Sequence, residues 1–193
     1  MRFVQLCDAS QPVKVAPICG ETGLGVEIQS FSNPDYPLVH PDSVALHQAH
    51  YASVFPRSLH GPFGDLSPGS CDRLIREVTR QRLEFAYDYA VKLGAEHIIF
   101  HHGYVPNTNT YGGWLKRSVE FWEEFLLSKE SGITFYLENL LEVDAKLMGE
   151  VLASVNHPNL KACLDLGHAF CHGKVQVHQW IEELGARIGY VHF

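Results

Sequence analysis

The sequence predicts an α/β fold of the (β/α)8 barrel type, and three observations lead to that prediction. Five short apolar runs each end in a histidine or an acid, at His60, His101, Glu138, Asp165 and His192. The intervals between these positions are 41, 37, 27 and 27 residues, each long enough for one helix and one strand. Apolar residues at helical spacing fill most of the intervals. Because parallel strands in a barrel end at one rim, we expect the five polar side chains to converge there.

The N-terminal part of the chain predicts an irregular first unit. We expect a strand over residues 13–18, a tight glycine-containing connection over 20–25 and a second strand over 26–29, with no room for a full helix between them. Residues 33–41 are rich in turn formers, and residues 41–52 have the pattern of a helix.

The remaining elements alternate regularly. A strand over 57–60 and a loop over 61–70 precede a helix over 71–93, which Gly94 ends. The elements that follow are a strand over 98–101, a loop over 103–113, helices over 114–129, 143–155 and 177–184, a strand over 133–138 and a seventh strand that reaches Phe193. We therefore expect one barrel domain over residues 1–193 that is truncated after its seventh strand. Its two open strand edges are compatible with a homo-oligomer.

Composition favours a globular protein with small-molecule partners. The chain is 46% hydrophobic, and its net charge of −7 and pI of about 5.9 provide no general basic surface for nucleic acid or an anionic membrane. The sequence has no apolar run of about 18 residues and no secretory signal pattern, so we expect a cytoplasmic protein without a membrane partner. Its five cysteines include no CxxC pair, which predicts reduced thiols, with Cys163 as a small core residue.

The strand ends carry the residue types of a metal site. A single histidine at a strand end is more often a capping or core residue, but here only His, Glu and Asp recur, and buried carboxylates are costly without a cation. A divalent metal is the simplest compensating charge, and mixed imidazole and carboxylate ligands suit Zn, Mn or Fe(II) better than Ca. His101 and His102 are adjacent and face opposite sides of a strand, and we expect His101 to point inward.

Aromatic and amide residues follow the strand ends. Phe63, Tyr104 and Trp114 are candidates for an apolar wall against a sugar face, although Trp114 could equally anchor the helix behind it. Asn139, beside Glu138, is a candidate to hold a neighbouring loop or a ligand.

Five segments together carry a family resemblance. They are LHGPF at 59–63, IIFHHGY at 98–104, YLENL at 136–140, NHPNLKACLDLGHAF at 156–170 and IGYVHF at 188–193. In order and spacing they resemble the xylose isomerase-like TIM barrel superfamily, and within it the sugar phosphate isomerase/epimerase group and its relative endonuclease IV.

The resemblance implies a divalent metal at the carboxyl-end rim. Glu138, Asp165 and His192 match the ligands that the epimerase and endonuclease branches share. The epimerase branch adds a glutamate on its eighth strand, and this sequence ends before such a residue. His60, His101 and His168 match further metal ligands of the endonuclease branch, whose Asp and His beyond the seventh strand are also absent here.

The leading hypothesis is a metal-dependent isomerase or epimerase of a small sugar or sugar phosphate. The metal would stabilise an enediolate while Glu138 moves the proton and His168 orients a substrate hydroxyl. The first alternative is a metal-dependent phosphodiesterase of the endonuclease IV type: His60, His101 and His168 support it, and the acidic composition counts against a nucleic acid partner without excluding one. The second alternative is a non-catalytic barrel fragment or pseudoenzyme.

Overall fold

A computed structural model describes residues 4–129 and 132–193, in which strands and helices alternate along the chain. The strands are β1 Gln5–Cys7, β2 Gly25–Ile28, β3 Arg57–His60, β4 His97–His101, β5 Thr134–Glu138, β6 Leu160–Asp165 and β7 Ile188–His192. The α-helices are α1 Pro12–Thr22, α2 Tyr36–Val39, α3 Ser43–His50, α4 Arg73–Leu93, α5 Tyr111–Leu126, α6 Lys146–Val155, α7 Leu166–His172 and α8 Val177–Leu184. Two compact units are present, one made of Met1–Pro62 and Arg82–Ile98 and the other of Phe63–Gln81 and Ile99–Phe193.

The first unit is built on three parallel strands. β2 lies between β1 and β3, so that Val26 is opposite both Leu6 and Arg57. Every residue of β2 is buried, as expected for a central strand covered on both faces. Asp8 directly follows β1 and is fully buried. It accepts hydrogen bonds from the amide of Gln29 at 2.9 Å and the hydroxyl of Tyr51 at 3.2 Å, which fixes the chain where β1 and β2 end.

The prediction of a strand over residues 13–18 is wrong, because this segment lies inside α1. The alternating residues of Val-Lys-Val suggested a strand, but Val13 and Ile18 are 58% and 47% exposed. The helix instead buries Pro12, Ala16 and Cys19, which are spaced for one helical face, and Pro12 occupies the first turn, where proline is tolerated. The first strand is β1, so the predicted irregular first unit is also wrong: β1, α1 and β2 form a regular β-α-β unit.

The second unit contains β4 from Ile99 onward and then β5, β6 and β7 in sheet order. An aromatic cluster packs its helix α5 against the sheet: the ring centre of Phe100 on β4 is 6.0 Å from that of Trp122 and 6.3 Å from that of Phe125. Phe135 on β5 stacks against Phe100 at 6.4 Å. All four rings are at most 1% exposed, so burial of large aromatic surface holds this helix on the sheet.

The predicted helices after residue 70 are confirmed with small shifts at their ends, as α4, α5, α6 and α8. Two described helices besides α1 were not predicted: α2, which lies in the turn-rich segment 33–41, and α7. Helix α7 begins immediately after β6 because the Asp165 side chain accepts a hydrogen bond from the amide of His168 at 2.6 Å and caps the helix. Among the residues with described positions, no helix has the length and apolar character needed to cross a lipid bilayer.

Candidate metal centre

Glu138 is the centre of a cluster of polar side chains at the carboxyl ends of the strands in the second unit. It is the last residue of β5 and is 1% exposed. Its Oε1 lies 3.0 Å from Nδ1 of His192 and 3.5 Å from Nδ1 of His168, and its Oε2 lies 3.5 Å from Nε2 of His101. Three imidazoles from three other elements therefore surround one buried carboxylate.

Asp165 is held next to Glu138 by Asn139. The Asn139 side chain accepts a hydrogen bond from the Asp165 amide at 2.9 Å and donates one to the Asp165 carbonyl at 3.0 Å. The carboxylate of Asp165 uses Oδ1 to cap α7, and its Oδ2 lies 3.6 Å from Nδ1 of His168 and 3.8 Å from Nδ1 of His192. Asn139 thus holds the end of the neighbouring strand, β6.

The hydrogen bond of His168 determines which ring nitrogen can bind a ligand. Nδ1 of His168 lies 2.9 Å from the carbonyl oxygen of Asn139. A carbonyl can only accept, so Nδ1 carries the proton and Nε2 carries the lone pair. A backbone carbonyl on the other nitrogen is the usual partner of a metal-binding histidine. The side chain of His168 is 30% exposed, so its ring is accessible to a metal or a substrate hydroxyl.

A β-bulge in β7 turns His192 toward the site. Ala162 pairs with Ile188, but Cys163 pairs with Tyr190, so Gly189 is an extra residue on β7. If the same residues continued in regular pairing from Ala162 and Ile188, Asp165 would face Val191 and His192 would lie on the opposite side of the sheet, because side chains alternate along a strand. Gly189 also needs to be glycine, since a Cβ there would lie 2.9 Å from Cε1 of Tyr136 and 2.8 Å from Cδ of Lys161.

The two adjacent histidines of β4 have different surroundings. His101 stacks on Phe63, with ring centres 4.6 Å apart, and faces Glu138. His102 is fully buried and its Nδ1 lies 2.9 Å from Oε1 of Glu142. Burial alone would raise the pKa of Glu142, but the hydrogen bonds from His102 and from the Leu140 amide hold that pKa below its ordinary value. His102 and Glu142 therefore form a buried hydrogen-bonded pair, and His101 is the histidine that faces the cluster around Glu138.

The loop that carries Phe63 is fixed to α5. Arg117 donates a hydrogen bond to the Gly69 carbonyl at 2.9 Å, and the indole of Trp114 donates one to the Ser67 hydroxyl at 3.4 Å. A Cβ on Gly69 would lie 2.4 Å from the Trp114 ring, so the loop lies directly on the indole. Trp114 is fully buried, so its ring is not accessible to a sugar. It anchors helix α5 rather than forming part of an apolar wall.

Two further candidates lie elsewhere. Tyr104 is half-buried beside Trp114, at 5.3 Å between ring centres, and lines a cavity of about 260 Å³ together with Tyr111, Lys146 and Lys174. His60 ends β3 in the first unit and is 5% exposed. Its Nδ1 lies 2.9 Å from the Gly61 carbonyl, so that its Nε2 carries the lone pair, and its role as a ligand stays a prediction.

The side chains of the second unit fit a divalent cation. One carboxylate oxygen of Glu138, one of Asp165 and one ring nitrogen of His168 lie within 4.8 Å of one another. A second group, with the same spacing, consists of Glu138, His192 and Cys163, a residue that the sequence had assigned to the core. Carboxylate and imidazole donors around a buried acid are the ligands that Zn, Mn and Fe(II) accept.

Comparison with known proteins agrees with this architecture. The family model described as "Xylose isomerase-like TIM barrel" matches residues 15–193. The chain belongs to this xylose isomerase-like family. The match confirms the predicted barrel class and the resemblance drawn from the strand-end segments.

Individual relatives within and around the xylose isomerase-like family differ in their described activities. A probable endonuclease 4 of Mycobacterium leprae is 25% identical over 149 residues, which cover 73% of this chain and 57% of that protein. A Thermus thermophilus protein, from a crystal soaked with ZnCl2, is 25% identical with a TM-score of 0.69 over 94% of this chain and 73% of that one. A D-psicose 3-epimerase of Clostridium cellulolyticum has the same fold, with 20% identity and a TM-score of 0.75 over 98% of this chain and 72% of that one. The chain spans about half the length of the curated relatives it matches.

Proposed function

We propose that the chain forms the metal-binding part of a divalent-metal-dependent isomerase or epimerase that acts on a small sugar or sugar phosphate. The observation that carries the proposal is the buried carboxylate of Glu138 with three imidazoles within 3.5 Å of its oxygens. A buried carboxylate in such surroundings needs a compensating positive charge. Solved structures of sugar epimerases share the fold and support this reaction class.

Each residue of the cluster has a distinct part in the proposal. Glu138, Asp165 and His192 would hold the metal, with His101 as a further ligand. The bound cation would supply Lewis-acid stabilisation of the negative charge that develops on the substrate oxygens in the enediolate. Glu138 would take the proton from the carbon next to the substrate carbonyl, and a proton would return to the same carbon in an epimerase or to the neighbouring carbon in an isomerase.

Substrate orientation would come from the side chains beside the metal ligands. His168 presents a ring nitrogen with a lone pair, which can accept a hydrogen bond from a sugar hydroxyl. Phe63 is 45% exposed and offers the face of its ring next to His101, as an apolar wall for the carbon-bound hydrogens of a sugar. Tyr104 would contribute through the cavity that it lines.

Calorimetric titration with Zn²⁺ and Mn²⁺ tests the metal site. We expect the parent chain to bind one of the two cations, and Asp165→Asn to weaken binding at least about tenfold because a charged ligand is lost. Asp65→Asn is the matched control, since Asp65 is exposed and its positive φ of 59° suits asparagine. Equal affinities for the parent chain and Asp165→Asn would contradict the proposed site.

Hydrogen exchange at carbon tests the reaction. The metal-loaded chain is incubated in D2O with a panel of ketoses that includes D-tagatose and D-fructose, and their phosphate esters, and the carbon-bound protons are followed by NMR. We expect loss of one proton signal next to the carbonyl of a substrate, and no loss with Glu138→Gln. Exchange that continues at the parent rate in Glu138→Gln would remove the proposed role of this residue.

Similarity to the probable endonuclease 4 of Mycobacterium leprae supports a second candidate, a metal-dependent phosphodiesterase. Hydrolysis of bis(p-nitrophenyl) phosphate by the metal-loaded chain, lost in Asp165→Asn, would favour it over the isomerase. Metal binding without sugar exchange or phosphodiester hydrolysis would instead favour a non-catalytic binding protein.

A further inference from the structure

We infer that Cys163 is a ligand of the metal bound by Glu138 and His192, and that its thiolate makes this site selective for thiophilic divalent cations. The inference rests on the proposed metal site and names the class of cation that the site takes.

Strand register brings Cys163 next to both residues. In the pairing of β5 with β6, Cys163 lies directly opposite Glu138. It is two residues before Asp165 on β6, so both side chains point to the same face of the sheet. The bulge at Gly189 places Tyr190 opposite Cys163 and His192 opposite Asp165, so His192 is a diagonal neighbour of Cys163 on this face.

The distances suit a shared cation. The sulfur of Cys163, a carboxylate oxygen of Glu138 and a ring nitrogen of His192 lie within 4.8 Å of one another. Around a tetrahedral zinc ion, with Zn–S of about 2.3 Å and Zn–N of about 2.0 Å, such atoms are about 3.5 Å apart. Nδ1 of His192 and Oε1 of Glu138 are already 3.0 Å apart. A movement of the thiol by about 1 Å, within the reach of a side-chain rotation, would complete the geometry.

The surroundings of Cys163 make a cation the partner that converts it to a thiolate. The residue is fully buried and packs with Ile99, Tyr136 and Tyr190. An anionic sulfur is costly in such a place unless a metal binds it, and on binding the thiol proton is released to solvent.

The chain contains a matched buried cysteine outside the site. Cys19 on α1 is 2% exposed, and its sulfur donates to the Gly25 carbonyl at 3.4 Å. It belongs to the first unit and has the ordinary environment of a core thiol. Cys19→Ser therefore reproduces the chemical change of Cys163→Ser at a position that, among the described residues, belongs to none of the side-chain groups spaced for a metal ion.

Cobalt(II) spectroscopy tests the inference directly. The parent chain, Cys163→Ser and Cys19→Ser are titrated with Co²⁺, and the near-ultraviolet thiolate-to-cobalt charge-transfer band and the visible d–d bands are recorded. We expect both sets of bands in the parent chain and in Cys19→Ser. In Cys163→Ser we expect the charge-transfer band to disappear while d–d bands remain, and zinc affinity to fall at least about tenfold with little change for Mn²⁺.

Each outcome has a defined meaning. Cobalt bound with no charge-transfer band in the parent chain, or with a band that survives in Cys163→Ser, overturns the role of Cys163 and leaves the proposed function in place. Absence of cobalt binding in the parent chain overturns both. X-ray absorption at the zinc edge of the parent chain needs no variant: one sulfur neighbour at about 2.3 Å is expected, and a shell of only nitrogen and oxygen contradicts the inference.

Discussion

Removal of the Glu142 carboxylate should destabilise the chain strongly, because two buried donors depend on it. Glu142 is 2% exposed, and its oxygens accept from Nδ1 of His102 at 2.9 Å and from the amide of Leu140 at 2.7 Å. Each buried donor left without an acceptor costs about 1–3 kcal/mol. Glu142→Ala should therefore lower the free energy of unfolding by about 4 kcal/mol, and Glu142→Gln, which keeps one acceptor oxygen, by about 2 kcal/mol.

Urea unfolding followed by circular dichroism measures both changes, and its pH dependence supplies a second check. Because the folded-state pKa of Glu142 is lowered, the ionised carboxylate stabilises the folded chain above its unfolded pKa of about 4.3. That contribution is lost as the pH falls through the lower folded value. The difference in free energy of unfolding between the parent chain and Glu142→Gln should thus be constant near neutral pH and become smaller below about pH 4.

An exposed glutamate provides the matched control. Glu124 pairs with Arg80 at 2.6 Å, but its side chain is 66% exposed, so Glu124→Ala should cost less than about 1 kcal/mol. If Glu142→Ala lowers the free energy of unfolding no more than Glu124→Ala does, the buried hydrogen bond between Glu142 and His102 does not stabilise the chain and the reasoning is refuted.

Three further changes probe the parts that position the site. Gly189→Ala should cost about 1–3 kcal/mol in urea unfolding and weaken zinc binding in calorimetry, because the new Cβ would press on Tyr136 and shift β7. Gly69→Ala should cost about 3 kcal/mol in the same unfolding assay, since its Cβ would lie 2.4 Å from the ring of Trp114. Arg117→Lys should lower the free energy of unfolding by about 1 kcal/mol in urea unfolding, because lysine lacks the forked group that donates to both the Gly69 carbonyl and the Asn109 side chain.

A glycine in open space and a neighbouring exposed residue serve as controls for these three changes. A Cβ on Gly112 would meet nothing within 4 Å, so Gly112→Ala near the start of α5 should leave stability unchanged or raise it by up to about 1 kcal/mol. Lys116 is 76% exposed, and Lys116→Ala should be nearly neutral. Equal changes in the free energy of unfolding for Gly189→Ala and Gly112→Ala would show that the close contact at the bulge does not require glycine at position 189.

Most strands and helices were predictable because their patterns are local. The strand ends from His60 onward combine an apolar run with a terminal polar residue, and the long helices repeat apolar residues at helical spacing. By contrast, β1 has only three residues, Gln5–Cys7, too few to show a period of two. The short alternation of apolar and polar residues after Pro12 resembles a strand pattern. In the fold, this segment is a helix that buries Ala16 and Cys19 on one face.

The site was predictable in composition more than in geometry. Glu138, Asp165 and His192 stand out at strand ends, and the alternation of side chains could also have placed Cys163 beside Asp165 on the same face. The direction of His192, however, depends on a bulge whose position is set by pairing between β6 and β7. Likewise, Asn139 hydrogen-bonds to Asp165, 26 residues further along the chain, and Trp114 hydrogen-bonds to Ser67, 47 residues earlier. Local sequence patterns do not predict contacts between segments so far apart.

The bulge at Gly189 makes the direction of His192 depend on the number of residues between the bulge and the end of β7. Deletion of Gly189 itself would restore regular pairing and still leave Ile188 opposite Ala162 and His192 opposite Asp165, because Gly189 is the extra residue. Loss of Val191 with the bulge retained would instead bring His192 opposite Leu164 and turn it to the other side of the sheet. Two single-codon deletions only two positions apart would therefore have opposite effects on the proposed metal ligand, a difference that comparison of residue identities alone does not show.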